Sequence, residues 1–141
     1  MRRVIIVAYT DAQILDVSGP ASVFAEAAAF AQKPPYEVVI GSLEGGLVKT
    51  SSGIDIHAKP LARLLRSTFN TLIIPGASAR GVRALLRDRR FRAVVSSAIS
   101  RASRVCSVCE PSFWRTSVFS TATGPPPTGK QPANSHAAIL P

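Results

Sequence analysis

The chain has 141 residues, of which 46% are hydrophobic, 18% charged and 6% aromatic; this suits one compact domain and excludes a multidomain enzyme. Its apolar content is too high for a disordered protein, and no apolar run approaches the roughly 18–20 residues needed to cross a bilayer. Met1-Arg2-Arg3 leads through a short apolar run to Thr10-Asp11, without the length or cleavage site of a secretory signal, so a soluble, cytoplasmic protein with no membrane partner is expected.

Net charge is +9, from 17 Lys+Arg against 8 Asp+Glu, and the excess is local. Arg80, Arg83, Arg87, Arg89, Arg90, Arg92, Arg101 and Arg104 share one stretch with a single acid, Asp88. Arginines at helical spacing mark a solvated face more often than a phosphate-binding surface, so the charge alone does not make a nucleic-acid binder. Cys106 and Cys109 form a CxxC with no second pair and no nearby histidine, which argues against structural zinc. No metal and no cofactor are expected.

Residues 4–9 are β-rich and apolar throughout, as in a parallel strand buried on both faces. Asp16-Val17-Ser18-Gly19-Pro20 offers polar caps and a first-turn proline, which predicts a helix over residues 21–31 with Val23, Phe24, Ala27 and Phe30 on its apolar face. Residues 36–43 read as a second strand, Gly45-Gly46 as a turn, and 47–49 with 54–57 as short extended pieces. A short helix is predicted over 60–66 and a buried strand over 71–76, ending at Pro75-Gly76. Helices follow over about 80–87 and 91–100, and residues 104–109 form the last apolar strand. Strands alternating with helices imply right-handed βαβ crossovers, hence an α/β fold with a mostly parallel sheet covered on both faces.

Composition changes abruptly near residue 110. Six prolines and much Ser, Thr and Gly follow, with Trp114 in a segment of no sustained period, so residues 110–141 are expected to be a disordered tail.

Cys109 is the leading candidate for chemistry, because it ends a buried strand and ligands in α/β folds bind beyond the carboxyl ends of strands. A helix starting just after it would place the thiol at a strained turn, where helix-end N–H groups favour a thiolate; the alternative is a small buried hydrophobe. Cys106 reads as core. Asp16, an acid in an apolar context ahead of a helix, reads either as a hydrogen-bond partner or base for a thiol or water, or as a helix cap. His57 reads as a surface or edge histidine, and His136 carries no role.

Five segments in order, Ile14-Leu15-Asp16-Val17-Ser18-Gly19-Pro20, Val23-Phe24, Thr50-Ser51-Ser52-Gly53, Leu72-Ile73-Ile74-Pro75-Gly76 and Val105-Cys106-Ser107-Val108-Cys109, resemble the ThiJ/PfpI superfamily. More narrowly they resemble the class I glutamine amidotransferase-like N-terminal domain of AraC-type transcriptional regulators, over about residues 2–109. The resemblance implies a flavodoxin-like three-layer sandwich, here incomplete at its C-terminus, with Cys109 at a nucleophile elbow. It implies Asp16 facing that cysteine as the second catalytic residue, and Gly76 and Ala77 presenting backbone N–H groups to a ligand. In the enzymes, such as isonitrile hydratase, the cysteine and acid are catalytic; in the regulators the pocket is thought to sense a small molecule while a C-terminal helix-turn-helix pair binds DNA.

The chain departs from that pattern after Cys109. Glu110-Pro111-Ser112 stands where the resemblance implies Thr-Gly and an apolar helix. One choice of GC-rich codons for residues 110–141, read two bases out of frame, opens with an apolar, helix-like string, so the tail is expected to be out of frame. The expectation is a truncated ligand-sensing domain over residues 1–109, whose contact with DNA would run through a missing C-terminal domain. The competing reading is a cysteine-dependent hydratase or amide hydrolase. Pro111, which lacks an N–H, and the absence of an apolar helical period after it weigh against the enzyme. The last strand left as an unpaired edge predicts aggregation or a homodimer through that surface.

Overall fold

The computed structural model of the chain describes residues 1–31 and 35–109. The predicted tail, with Trp114 and His136, lies outside the described residues. The elements are β1 (Arg2–Val7), α1 (Ile14–Ala29), β2 (Tyr36–Ser42), β3 (Gly46–Lys49), β4 (Asp55–Pro60), α2 (Leu61–Leu64), β5 (Thr71–Ile74), α3 (Ala79–Arg87), α4 (Arg89–Arg101) and β6 (Arg104–Ser107). They build a sheet in the order β3-β4-β2-β1-β5-β6. Every pairing is parallel except the β3–β4 hairpin, as expected of a flavodoxin-like α/β fold.

The reason lies in β1. Val4, Ile5, Ile6 and Val7 are all 0% exposed, so this strand has no solvent face and must be covered by layers on both sides. It pairs with β2 in the register Ile5↔Val39 and with β5 in the register Ile5↔Leu72. Right-handed crossovers then put α1 on one face and α2, α3 and α4 on the other. Gly41 marks the second face: a Cβ there would lie 2.8 Å from side-chain atoms of both Leu61 and Leu64, so the α2 leucines sit directly on β2.

Helix α1 departs from the sequence expectation in two ways. It starts at Ile14 rather than 21 and runs through Pro20. Proline was read as a start signal, but Val17, fully buried in the first turns, holds the helix to the sheet ahead of it. Pro20 leaves the Asp16 carbonyl without its helical partner. The apolar face also differs. Val23 and Phe30 are 67% and 88% exposed, whereas Ala21 and Phe24 pack against the core, with Phe24 edge-on to Tyr36 at 4.9 Å between ring centroids. Starting the helix seven residues earlier makes Val17, Ala21 and Phe24 the i, i+4, i+7 stripe that meets the sheet.

The arginine-rich stretch behaves as predicted. Val82, Leu85, Phe91, Val95 and Ala98 are buried while Arg80, Arg83, Arg87, Arg89 and Arg90 are exposed. Asp88 joins the two helices by accepting the N–H groups of Arg90 and Phe91 at 2.9 and 3.0 Å, capping α4. His57 is exposed on β4, opposite Leu47 across the hairpin.

The β2–β3 turn supplies a stability test. Gly45 has φ +78° and a Cβ there would lie 2.7–2.9 Å from the rigid ring of Pro60, whereas Gly46 has φ +80° with open space around it. Gly46→Ala is expected to cost about 1 kcal/mol, from the left-handed backbone alone. Gly45→Ala is expected to cost about 3 kcal/mol, because overpacking adds to the same strain. Urea unfolding of the two variants checks the difference; equal losses would show that the Pro60 contact relaxes freely.

Candidate functional site

Four loops meet at the carboxyl end of the sheet: the segment after β1 (residues 8–13), the hairpin tip 50–53, the segment after β5 (75–78), and Val108-Cys109 after β6. Backbone bonds tie them together. Asp11 N–H donates to the Lys49 carbonyl at 3.0 Å, Ser51 N–H to the Ala12 carbonyl at 3.1 Å, and Gln13 N–H to the Gly76 carbonyl at 2.8 Å. Ala12 and Ala77 form an antiparallel bridge. Thr50, 2% exposed, donates its hydroxyl to the Ile54 carbonyl at 2.7 Å and so closes the hairpin tip.

The sequence-predicted residues Asp16, Gly76, Ala77 and Cys109 all come to this corner. Asp16 lies inside the first turn of α1 rather than capping it. Gln13 holds the cap position without a side-chain capping bond. The Asp16 carboxylate instead reaches across to β5, where Oδ2 accepts the Gly76 N–H at 3.0 Å. Negative charge in a first turn also suits the helix dipole. Gly76 is required by close approach: a Cβ there would meet Asp16 Oδ2 at 2.9 Å and both Cβ and the carbonyl oxygen of Cys109 at 3.0 Å. Asp16 and Cys109 therefore flank the same face of Gly76. Of the two backbone donors expected for a ligand, Gly76's is taken by Asp16, which leaves Ala77's as the one not held by that carboxylate.

Cys109 lies two residues past the end of β6, whose backbone is continued by Val108 N–H donating to the Ile74 carbonyl at 3.1 Å. It is exposed, and its φ is +58°. A left-handed cysteine is strained by about 1–3 kcal/mol and persists where its surroundings over-determine it, typically at functional turns. Cys106, half-buried on β6 and in register with Ile73, packs against the core as predicted. Among the described residues no group of three or more His, Cys, Asp or Glu side chains is placed to hold a metal ion.

Tyr9 belongs to the site and was not singled out in the sequence. It is 5% exposed, donates its hydroxyl to the Pro75 carbonyl at 2.5 Å, and packs edge-on against Phe91 at 5.8 Å. Burial, and then the negative charge of Asp16, push its phenol above the usual tyrosine range. The signal was present: a polar-tipped aromatic at the end of an otherwise aliphatic strand.

No family model matches the chain. Among curated proteins, the "uncharacterized protein in cpoL 5′ region" of Streptomyces lividans is 33% identical over 115 residues, covering 79% of this chain and 75% of that protein. The chain belongs to that protein's family. Its fold is that of the DJ-1/ThiJ/PfpI superfamily. Solved structures similar to it include a ThiJ/PfpI family protein from Pseudomonas syringae (TM-score 0.69, 19% identity, 82% of this chain), oxidized DJ-1 from Toxoplasma gondii (0.63, 17%, 86%) and Drosophila melanogaster DJ-1beta (0.63, 20%, 80%). The chain spans 46%, 61% and 58% of those three chains respectively. No helix among the described residues is long and apolar enough to cross a membrane.

The raised Tyr9 ionisation sets a pH dependence. Unfolded chains lose the phenolic proton near the ordinary value of 10.0, whereas the folded chain holds it longer. The stability this contributes is intact below pH 10 and lost as pH rises above it. Thermal melts from pH 8 to 11 should therefore fall more steeply above pH 10 for the wild type than for Tyr9→Phe. Parallel curves would show that the phenol is not held by its surroundings.

Proposed function

We propose that residues 1–109 form the small-molecule-sensing unit of an AraC-type transcriptional regulator, with the ligand held at the Cys109 corner and DNA contact made by a helix-turn-helix part outside those residues. The observation that carries the reading is the Asp16–Gly76–Cys109 cluster, which brings residues from α1, the end of β5 and the end of β6 together at the site the sequence resemblance implies. Residues 110–141 are proposed to be an out-of-frame continuation, on the codon argument and the abrupt change in composition.

The sensing role is favoured over catalysis by the use of the Gly76 N–H. An acyl-transfer or hydration step needs backbone donors aimed at the developing oxyanion, and losing one such donor typically costs about 3 kcal/mol of transition-state stabilisation. Here the Gly76 donor is already occupied by Asp16. The second reading, a cysteine-dependent hydratase or hydrolase, has the exposed, left-handed Cys109 in its favour; in it the thiolate attacks and Asp16 handles the proton.

The genomic test is to read the gene from codon 105 through several hundred bases beyond codon 141. Helix-turn-helix coding capacity in the offset frame is the expected result, and its absence from every downstream frame would sink the regulator. A protein test separates the second reading. Iodoacetamide should alkylate Cys109 at least about tenfold faster than half-buried Cys106, and Gly76→Ala, by pushing against Cys109, should change that ratio. Turnover of an isonitrile by the wild type but not by Cys109→Ala would instead establish the enzyme.

A further inference from the structure

A cavity of about 340 Å³ opens at the carboxyl ends of β1 and β2, between the β2–β3 turn with β3 on one side and α3 with the start of α4 on the other. The chain leaves β1 for β2 on one side, while β5 pairs on its other side. The topological switch point, where open α/β folds form their binding crevice, is the β1–β5 gap at the Cys109 corner; this cavity lies on the other side of β1. Tyr9 lines the cavity and also bonds the Pro75 carbonyl next to Gly76, so its ring lies between this cavity and the Cys109 corner. The cavity therefore goes beyond the site proposed above.

Its lining has a consistent chemistry. Leu47, Val48, Leu85 and Phe91 supply an apolar wall, and Ser42, Glu44 and Asp88 supply the charged and buried polar groups. Among the described residues no lysine, arginine or histidine lines it, in a chain of net charge +9. Asp88 engages Oδ1 with the two N–H groups at the α4 start, and among the described residues Oδ2 accepts no bond. Glu44 meets the Arg90 guanidinium across the mouth in an exposed ion pair, a contact weak enough for a guest to displace. Ser42 is the independent observation. It is 5% exposed and accepts the Gly45 N–H at 3.0 Å, yet its own hydroxyl proton finds no acceptor among the described residues. On the wall of this cavity that donor is available to a guest.

We propose that this cavity binds a small organic cation: a protonated amine on a compact aromatic or branched apolar body. The body lies against Leu47, Leu85 and Phe91. The ammonium takes Asp88 Oδ2 and competes with Arg90 for Glu44. An oxygen on the guest, where it has one, accepts from Ser42.

The test is an NMR titration of the 141-residue chain with 2-phenylethylamine, and in parallel with its neutral counterpart 2-phenylethanol. The amine should saturably shift the amides of Thr10, Leu47, Ala84 and Phe91, and bind about tenfold or more tighter than the alcohol. Asp88→Asn keeps a capping side chain but removes the charge, and should weaken the amine about fivefold or more without affecting the alcohol. Ala84→Phe fills the cavity and should abolish both; if it misfolds, Leu47→Trp serves the same end from an exposed position. Cys109→Ser should leave amine binding unchanged. Equal affinity for amine and alcohol, shifts scattered over the acidic surface, no saturation by about 10 mM, or loss of binding in Cys109→Ser would each overturn the proposal.

Discussion

Strand β1 is bonded along both edges and covered on both faces, and the positions of all the other elements follow from it. Its four central side chains are fully buried; at about 25 cal/mol per Å² of apolar surface, each contributes roughly 1.5–3 kcal/mol on folding. No surface ion pair among the described residues is of that size. Arg3–Glu37 and Arg90–Glu44 belong to a class worth about 0–1 kcal/mol each. The chain is therefore organised by apolar burial around one strand, and its large positive charge rides on the outer faces of α3 and α4 without directing the fold.

From the carboxyl end of β1 the argument passes to one hydrogen bond. Asp16 Oδ2 to Gly76 N–H joins the first turn of α1 to the end of β5, and a charged acceptor makes it worth about 1.5–3 kcal/mol. The left-handed backbone of Cys109 stores a strain of comparable size. Three contacts converge there: the carboxylate on the Gly76 N–H, the Cys109 backbone against Gly76, and Val108 N–H on the Ile74 carbonyl. Together they brace the strained residue against the end of β5. The same bond limits chemistry, since an N–H given to Asp16 is not free to meet an oxyanion.

How much of this was legible in the sequence depends on the physical signal involved. Residues 4–7 and 71–74 are continuous β-branched and aliphatic runs, and such runs have few other folded states, so the central strands and the parallel sheet could be read directly. The α3–α4 arginines were legible for the same reason, since a 3.6-residue period separates Val82 and Leu85 from Arg80, Arg83 and Arg87. Helix α1 was misread because local rules and tertiary packing disagree there. Ser18-Gly19-Pro20 looks like a helix start, yet Val17 buries ahead of it and carries the helix through. The meeting of Asp16, Gly76 and Cys109 came from the family resemblance, and no spacing rule would have brought residues 60 and 93 positions apart from Asp16 to it. The occupancy of the Gly76 N–H was not legible at all, because it depends on the angle at which α1 enters the sheet.

Tyr9 joins these observations into one arrangement. It lies two residues past the central strand, its ring packs on Phe91 beside the β1–β2 cavity, and its hydroxyl holds the Pro75 carbonyl one residue before Gly76. A guest pressing on Phe91 or Leu85 would press on this ring, and the ring cannot move without releasing the Pro75 carbonyl in a buried setting, where an unmet acceptor costs about 1–3 kcal/mol. That cost is similar to the strain held at Cys109. Tyr9, where β1's apolar run ends with a hydroxyl, is thus the one side chain that touches both the cavity wall and the segment carrying Gly76 among those described.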